Sequence, residues 1–99
     1  MPAYVISDAT FRDAAAIEVY RRQAAASIAR HGGRYLVRGG SVEVLEGSWA
    51  PRAIIIVEFP DMAAARAWYA SPDYAQALAI RDQALSRHLI LVDGAAAQV

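Results

Sequence analysis

Arg81 closes the stretch WYASPDYAQALAIR (residues 68–81) with no acidic residue three or four positions away on either side. Tyr74, Leu78, Arg81 and Leu85 fall at i, i+4, i+7 and i+11, which places them on one face of one helix. The large apolar members mark that face as the packed one, so Arg81 is expected to point inward. A guanidinium stays charged at any physiological pH and is costly to bury unpaired. Three outcomes satisfy it: an ion pair with Glu58, Glu46 or Asp93, a stem that snorkels to water, or a bidentate clamp on a ligand carboxylate or enolate.

Trp68, Tyr69 and Tyr74 flank Ser71-Pro72, where a break between two helical pieces leaves a notch. They are either core aromatics or the wall of an apolar pocket with phenolic hydroxyls turned inside. Arg38 beside Gly39-Gly40 has the make-up of an anion-binding corner, although a strand bulge also explains the glycines. For proton transfer the available groups are His31, His88, Glu46 and Glu58. His31 ends the first helical segment, where an imidazole complements the helix dipole. Glu58 interrupts an apolar strand, so it is either paired with an arginine or raised in pKa, and pairing is the expectation. The two histidines are far apart and lack carboxylates at helical spacing, so they form no metal motif. No nucleophile elbow and no dinucleotide-binding glycine pattern is present, and no cofactor is expected.

Composition narrows the classes further. Ninety-nine residues, 57% of them hydrophobic, suit one domain over residues 1–94 followed by a frayed tail, 95–99. Ten basic and ten acidic residues alternate in sign and sum to zero, leaving no electrostatic footprint for nucleic acid or anionic lipid. Every basic residue is arginine, which removes lysine Schiff-base chemistry. The absence of cysteine removes disulfides, thiolate nucleophiles and sulfur-ligated metals. No apolar run reaches the length of a membrane span and Met1-Pro2-Ala3-Tyr4 does not open a signal peptide, so a soluble cytoplasmic protein is expected.

The elements that must position these side chains are legible in outline. AYVISDATF (3–11) reads as a strand, and Asp13 caps a helix whose Ile17, Tyr20, Ala24, Ile28 and His31 form an apolar stripe. Gly32-Gly33 ends it. A second strand is expected from Arg34 to about Leu45, bent at Gly39-Gly40, and RAIIIVEF (52–59) gives the clearest strand. Pro60-Asp61 opens a short helix over 62–70. Ser71 caps the next, with Pro72 at its first position, running to about Leu85, and a last strand spans His88–Asp93. This order predicts an α+β, ferredoxin-like βαββαβ fold: an antiparallel four-stranded sheet with helices on one face and a helix break in the second crossover. The other face is expected to be covered, because Ile54-Ile55-Ile56-Val57 and Leu89-Ile90-Leu91-Val92 do not alternate with polar residues; the alternative is a monomer that exposes a few aliphatic side chains. A homodimer pairing those faces is the expected cover.

HGGRYLVRGG (31–40), LEG (45–47), APRAIIIVEFP (50–60), AWYASPDYAQALAIR (67–81) and LVDG (91–94), in this order, resemble the bacterial domain-of-unknown-function family DUF1330. That family belongs to the dimeric α/β-barrel superfamily, so the resemblance implies that fold and a two-fold dimer. Its superfamily relatives include cofactor-free monooxygenases, isomerases, haem enzymes and proteins that only bind ligands. Residues typical of the family and present here are Arg38, Gly39, Gly40, Glu46, Gly47, Glu58, Trp68, Tyr69, Ser71, Tyr74 and Arg81, whereas Ala14 stands where the family often has proline.

Three functions fit these observations. The first is a binder of a small anionic or enolisable molecule, extending to a cofactor-independent enzyme: Arg81, Arg38, Tyr74, Tyr69, Trp68 and Glu46 contact the ligand, and Glu58 or His31 moves a proton. The second is a ligand-free module whose Arg/Glu/Tyr network is structural. The third is a protein that docks a larger enzyme through its helices. A cavity between helices and sheet with a guanidinium reaching into it favours the first; a closed arginine–carboxylate pair favours the second.

Overall fold

The computed structural model describes residues 1–95, so the expected frayed tail lies almost wholly outside the described residues. The chain runs β1 (Ala3–Phe11), α1 (Ala14–Arg30), β2 (Arg34–Arg38), β3 (Ala53–Phe59), α2 (Met62–Tyr69), α3 (Pro72–Ala84) and β4 (Leu85–Asp93). The strands form one antiparallel sheet in the order β2-β3-β1-β4, the ferredoxin-like arrangement expected from the element order.

Each helix starts where a short polar side chain replaces a missing backbone acceptor. Asp13 Oδ1 accepts from the Ala16 N–H at 2.8 Å, Asp61 Oδ1 from Ala64 at 2.7 Å, and Ser71 Oγ from Tyr74 at 3.1 Å. Helix α1 stops at Gly32, whose positive φ of 78° suits glycine, and Gly33 donates back to the Ile28 carbonyl at 2.9 Å. A Cβ on Gly33 would stand 2.7 Å from Ile28 Cγ2 and 2.8 Å from Phe59 Cε1, so the helix end packs on the sheet only because that position is glycine.

Two strand boundaries differ from the sequence reading. β2 ends at Arg38, and residues 39–50 form no strand; the Gly39 backbone turns away at φ 76° while its N–H bonds Ile54 O. The irregularity in β2 lies between Tyr35 and Val37, not at Gly39-Gly40. One extra residue there brings both Tyr35, opposite Val57, and Arg38, opposite Ile55, to the helix-covered face. β4 begins at Leu85, directly after α3, three residues earlier than the sequence suggests. Residues 85–87 therefore obey strand alternation, which sends Leu85, Arg87, Leu89 and Leu91 to the helix side.

The core lies between the helices and the sheet and includes Val5, Ile17, Tyr20, Ile28, Val57, Phe59, Trp68, Tyr74 and Leu85. The opposite face carries Tyr4, Ile6, Ile54, Ile56, Ile90 and Val92, and among the described residues no helix covers it; Ile90 is 56% exposed, while Tyr4, Ile6, Ile54 and Ile56 are half-buried. Among the described residues no helix is long and apolar enough to cross a membrane.

Candidate functional site

Beneath α1 the sheet presents small side chains, Ser7 and Ala9 on β1 and Ala53 on β3, and α1 answers with Ala24. Small residues facing small residues leave space. A cavity of about 480 Å³ results, walled by Val5, Ile17, Ile28, Ile55, Val57 and Trp68. Its polar groups are few: Tyr20, Tyr35, Ser7 and the guanidinium groups of Arg21, Arg38 and Arg87, with no aspartate, glutamate or histidine in the lining.

Arg87 is the most constrained of these. It enters from β4, half-buried, and forks onto two phenols: Nη1 donates to Tyr20 Oη at 2.5 Å and Nη2 to Tyr74 Oη at 2.6 Å. The phenols also bond each other at 2.6 Å, closing a three-membered ring of hydrogen bonds. No carboxylate pairs with Arg87 among the described residues. Burial works to lower the Arg87 pKa, but the Tyr20 and Tyr74 oxygens outweigh it and hold the group above its ordinary value. Burial pushes the Tyr74 phenol far above 10, with neighbouring Tyr20 adding to the rise and Arg87 opposing it. The cluster is thus one half-buried guanidinium hydrogen-bonded to two phenol oxygens.

Trp68 holds this cluster in place. Its indole N–H donates to Ser27 Oγ at 3.0 Å, Ser27 passes its own proton to Ala24 O, and the indole ring lies 4.2 Å from the Tyr74 ring centroid. Trp68 and Tyr74 are thus buried aromatics, as one reading of the notch expected; Trp68 also lines the cavity, while Tyr74 reaches it only through Tyr20 and Arg87.

The remaining sequence candidates are dispersed. Arg81 does not point into the core: its side chain is 35% exposed and its Nε lies 3.3 Å from Asp82 Oδ1. Arg81 shares the face of α3 that buries Tyr74, Ala77 and Ala84, but its stem runs outward and carries the guanidinium to exposed Asp82, the snorkelling outcome. With Arg12, Tyr69 and Asp82 it borders a separate depression of about 380 Å³ on the other side of Arg87. Glu58 forms the expected arginine pair, with Arg34 Nε at 2.8 Å, but on the bare face of the sheet. His31 caps α1, its Nδ1 2.9 Å from Ser27 O, and neither it nor Glu58 lines the cavity. Glu46 is exposed in the 39–50 segment, away from the cavity. Arg38 does reach the lining, together with Gly39. Among the described residues no three His, Asp or Glu side chains gather as metal ligands.

A strand beginning at His88 leaves Arg87 in a loop, whereas β4 includes it. The signal was present: Leu85, Arg87, Leu89 and Leu91 keep strand alternation, which places the arginine among inward leucines.

The family model described as "Domain of unknown function (DUF1330)" matches residues 2–95. No curated protein matches the chain. Among solved structures, the chain is similar to a protein of unknown function from Rhodopseudomonas palustris, at 22% identity and TM-score 0.77, over 96% of this chain and 83% of that one. It is also similar to SnoaB, a cofactor-independent oxygenase from Streptomyces nogalater, at 16% identity and TM-score 0.65, over 96% and 94%. A third is a dimeric ferredoxin-like protein of unknown function from Bacteroides fragilis, at 15% identity and TM-score 0.55, over 94% and 96%. At these identities the likeness concerns the fold.

Proposed function

The chain belongs to the DUF1330 family, and from that premise we propose that it is a homodimeric small-molecule-binding protein whose cavity stabilises an oxyanion on an apolar ligand. The observation that carries this reading is Arg87: a half-buried guanidinium that faces an apolar cavity and touches only neutral phenols. A bound enolate, phenolate or carboxylate supplies the missing counter-charge, and charge-assisted bonds in that desolvated setting are strong.

Proton counting assigns the roles. Both phenol oxygens accept from Arg87, and of the two possible directions for the bond between the phenols, the one proposed has Tyr74, outside the cavity lining, as the donor to Tyr20. The Tyr20 hydroxyl proton is then left to donate into the cavity. Tyr20 and Arg87 hold the ligand oxygen, and Tyr74 is a positioning residue. Because no carboxylate or imidazole lines the cavity, the ligand itself must be acidic: a phenol, enol or 1,3-dicarbonyl whose ionised form the site selects. Such selection is the first step of chemistry that needs no cofactor. The shared fold of a cofactor-independent oxygenase is in keeping with it.

The dimer follows from the bare aliphatic face. Ile90 and Val92 are exposed beside half-buried Ile54 and Ile56, no helix covers this face among the described residues, and a protein sharing the fold is described as dimeric.

Titration with 2-naphthol tests the oxyanion reading. Binding is expected, with the bound naphthol ionising at lower pH than in water, and Arg87→Met is expected to abolish that shift. Arg87→Met should also leave thermal stability unchanged or raise it, since an apolar side chain of similar length replaces an unpaired buried charge. No binding to the wild type, or an undiminished shift in Arg87→Met, overturns the proposal.

A further inference from the structure

The cavity has a second cationic pole that the Arg87 cluster does not use. Arg38 reaches the lining from β2 and Arg21 from α1, both at the solvent side. Each guanidinium lies on an aromatic ring, Arg38 at 4.1 Å from the Tyr35 centroid and Arg21 at 4.9 Å from that of Phe11. Stacking fixes a guanidinium while leaving its in-plane N–H donors open to a ligand. Arg38 makes no ion pair among the described residues, and Arg21 has only the exposed Glu18 at 3.4 Å.

The sheet sets the separation of the poles. Arg38 and Arg87 stand on the two edge strands of the order β2-β3-β1-β4, so their backbones are three strand spacings apart across the sheet, about 14 Å, and two residues offset along it, since Arg38 is level with Leu89. Between them the floor is Ile55, Val57, Ala53, Val5, Ser7 and Ala9, almost entirely apolar. The register shift in β2 is what turns Arg38 to this side, since regular alternation from Tyr35 would send it to the other. Cations at both ends of an apolar trough, with no carboxylate along it, match a ligand charged at both ends.

Resting on the oxyanion reading above, we infer that the ligand is a two-ended acid. An enol or phenol oxygen binds at Arg87 and Tyr20, an aromatic or similarly flat apolar body fills the trough, and a carboxylate at the far end is held by Arg38 and Arg21. Arg38 is thus a specificity residue for ligand length and charge, distinct from the pole that stabilises the oxyanion.

Two probes, 6-hydroxy-2-naphthoate and 4′-hydroxybiphenyl-4-carboxylate, each compared with its methyl ester, test this by calorimetry at low salt. At least one acid is expected to bind tenfold or more tightly than its ester, and that advantage is expected to vanish in Arg38→Gln/Arg21→Gln. Both substitutions are on the surface, and circular dichroism verifies the fold. Arg87→Met should weaken acid and ester alike. If acids and esters bind the wild type equally while Arg87→Met still weakens them, the second pole falls and the oxyanion site stands. If neither acids, esters nor 2-naphthol bind the wild type, both readings fall.

Discussion

The two faces of the sheet treat charge in opposite ways. On the bare face Glu58 is bonded to Arg34, and Asp8 accepts from the Trp49 indole at 3.0 Å and the Arg52 N–H at 2.9 Å. On the covered face, where pairing matters most, half-buried Arg87 has only phenols as partners and the lining holds no acid. Stability alone would arrange the reverse, because an unpaired charge costs little in water and several kcal/mol when desolvated. Apolar residues invert too: small side chains leave a void inside, while Ile90 and Val92 stand exposed outside. Each anomaly on one face calls for an absent partner, a ligand within and a second subunit without.

The largest effect expected from disturbing the inner face is Trp68→Ala. Trp68 is buried against Phe59 and Tyr74 and bonds Ser27, so its removal should cost about 3–5 kcal/mol in urea unfolding. Loss of under about 1 kcal/mol would show that the aromatic wall is not what supports the cluster.

On the outer face Ile90→Asp should leave the subunit folded and halve the mass seen in sedimentation, since it places a charge where two sheets are proposed to meet. An unchanged dimer mass would move the interface elsewhere.

Alkaline pH sharpens the contrast more gently. The Tyr74 phenol titrates above its unfolded value of 10, so its contribution is fully present below pH 10 and is lost as pH rises toward the folded value. Urea midpoints should therefore fall from pH 10 upward, and Tyr74→Phe should flatten that fall. Tyr35, also raised by burial despite the opposing charge of Arg38, leaves a residual slope.

The smallest effect is expected at Arg81→Ala. Its contact with the exposed Asp82 should be worth within about 0.5 kcal/mol, and 2-naphthol binding should persist. A lost ligand with an intact fold would transfer the anion role from Arg87 back to α3.

Sequence legibility followed the range of the interactions. Asp13, Asp61 and Ser71 act on N–H groups three residues away, so the helix starts were readable from adjacent letters. The paired Glu58 and the uncovered Ile54 and Ile56 were also readable, since strand alternation is local. The expected continuation of β2 to about Leu45 fails because, among the described residues, no strand pairs with the chain beyond Arg38. The inward arginine is Arg87, six residues after Arg81. Helical spacing made Arg81 a plausible choice, yet the decision lay with where α3 gives way to β4 and how β4 registers on β1, pairing Arg87 with Ala9.

The order of elements, the capped helix starts and the excess of aliphatic strand residues were thus determined by the sequence alone, because each depends on backbone groups or side chains within a few positions. Which guanidinium faces the cavity, and that Tyr20 and Tyr74 from two helices converge on it, was decided only by tertiary packing. Those contacts join residues 54, 67 and 13 positions apart, and no local rule carries direction over such distances.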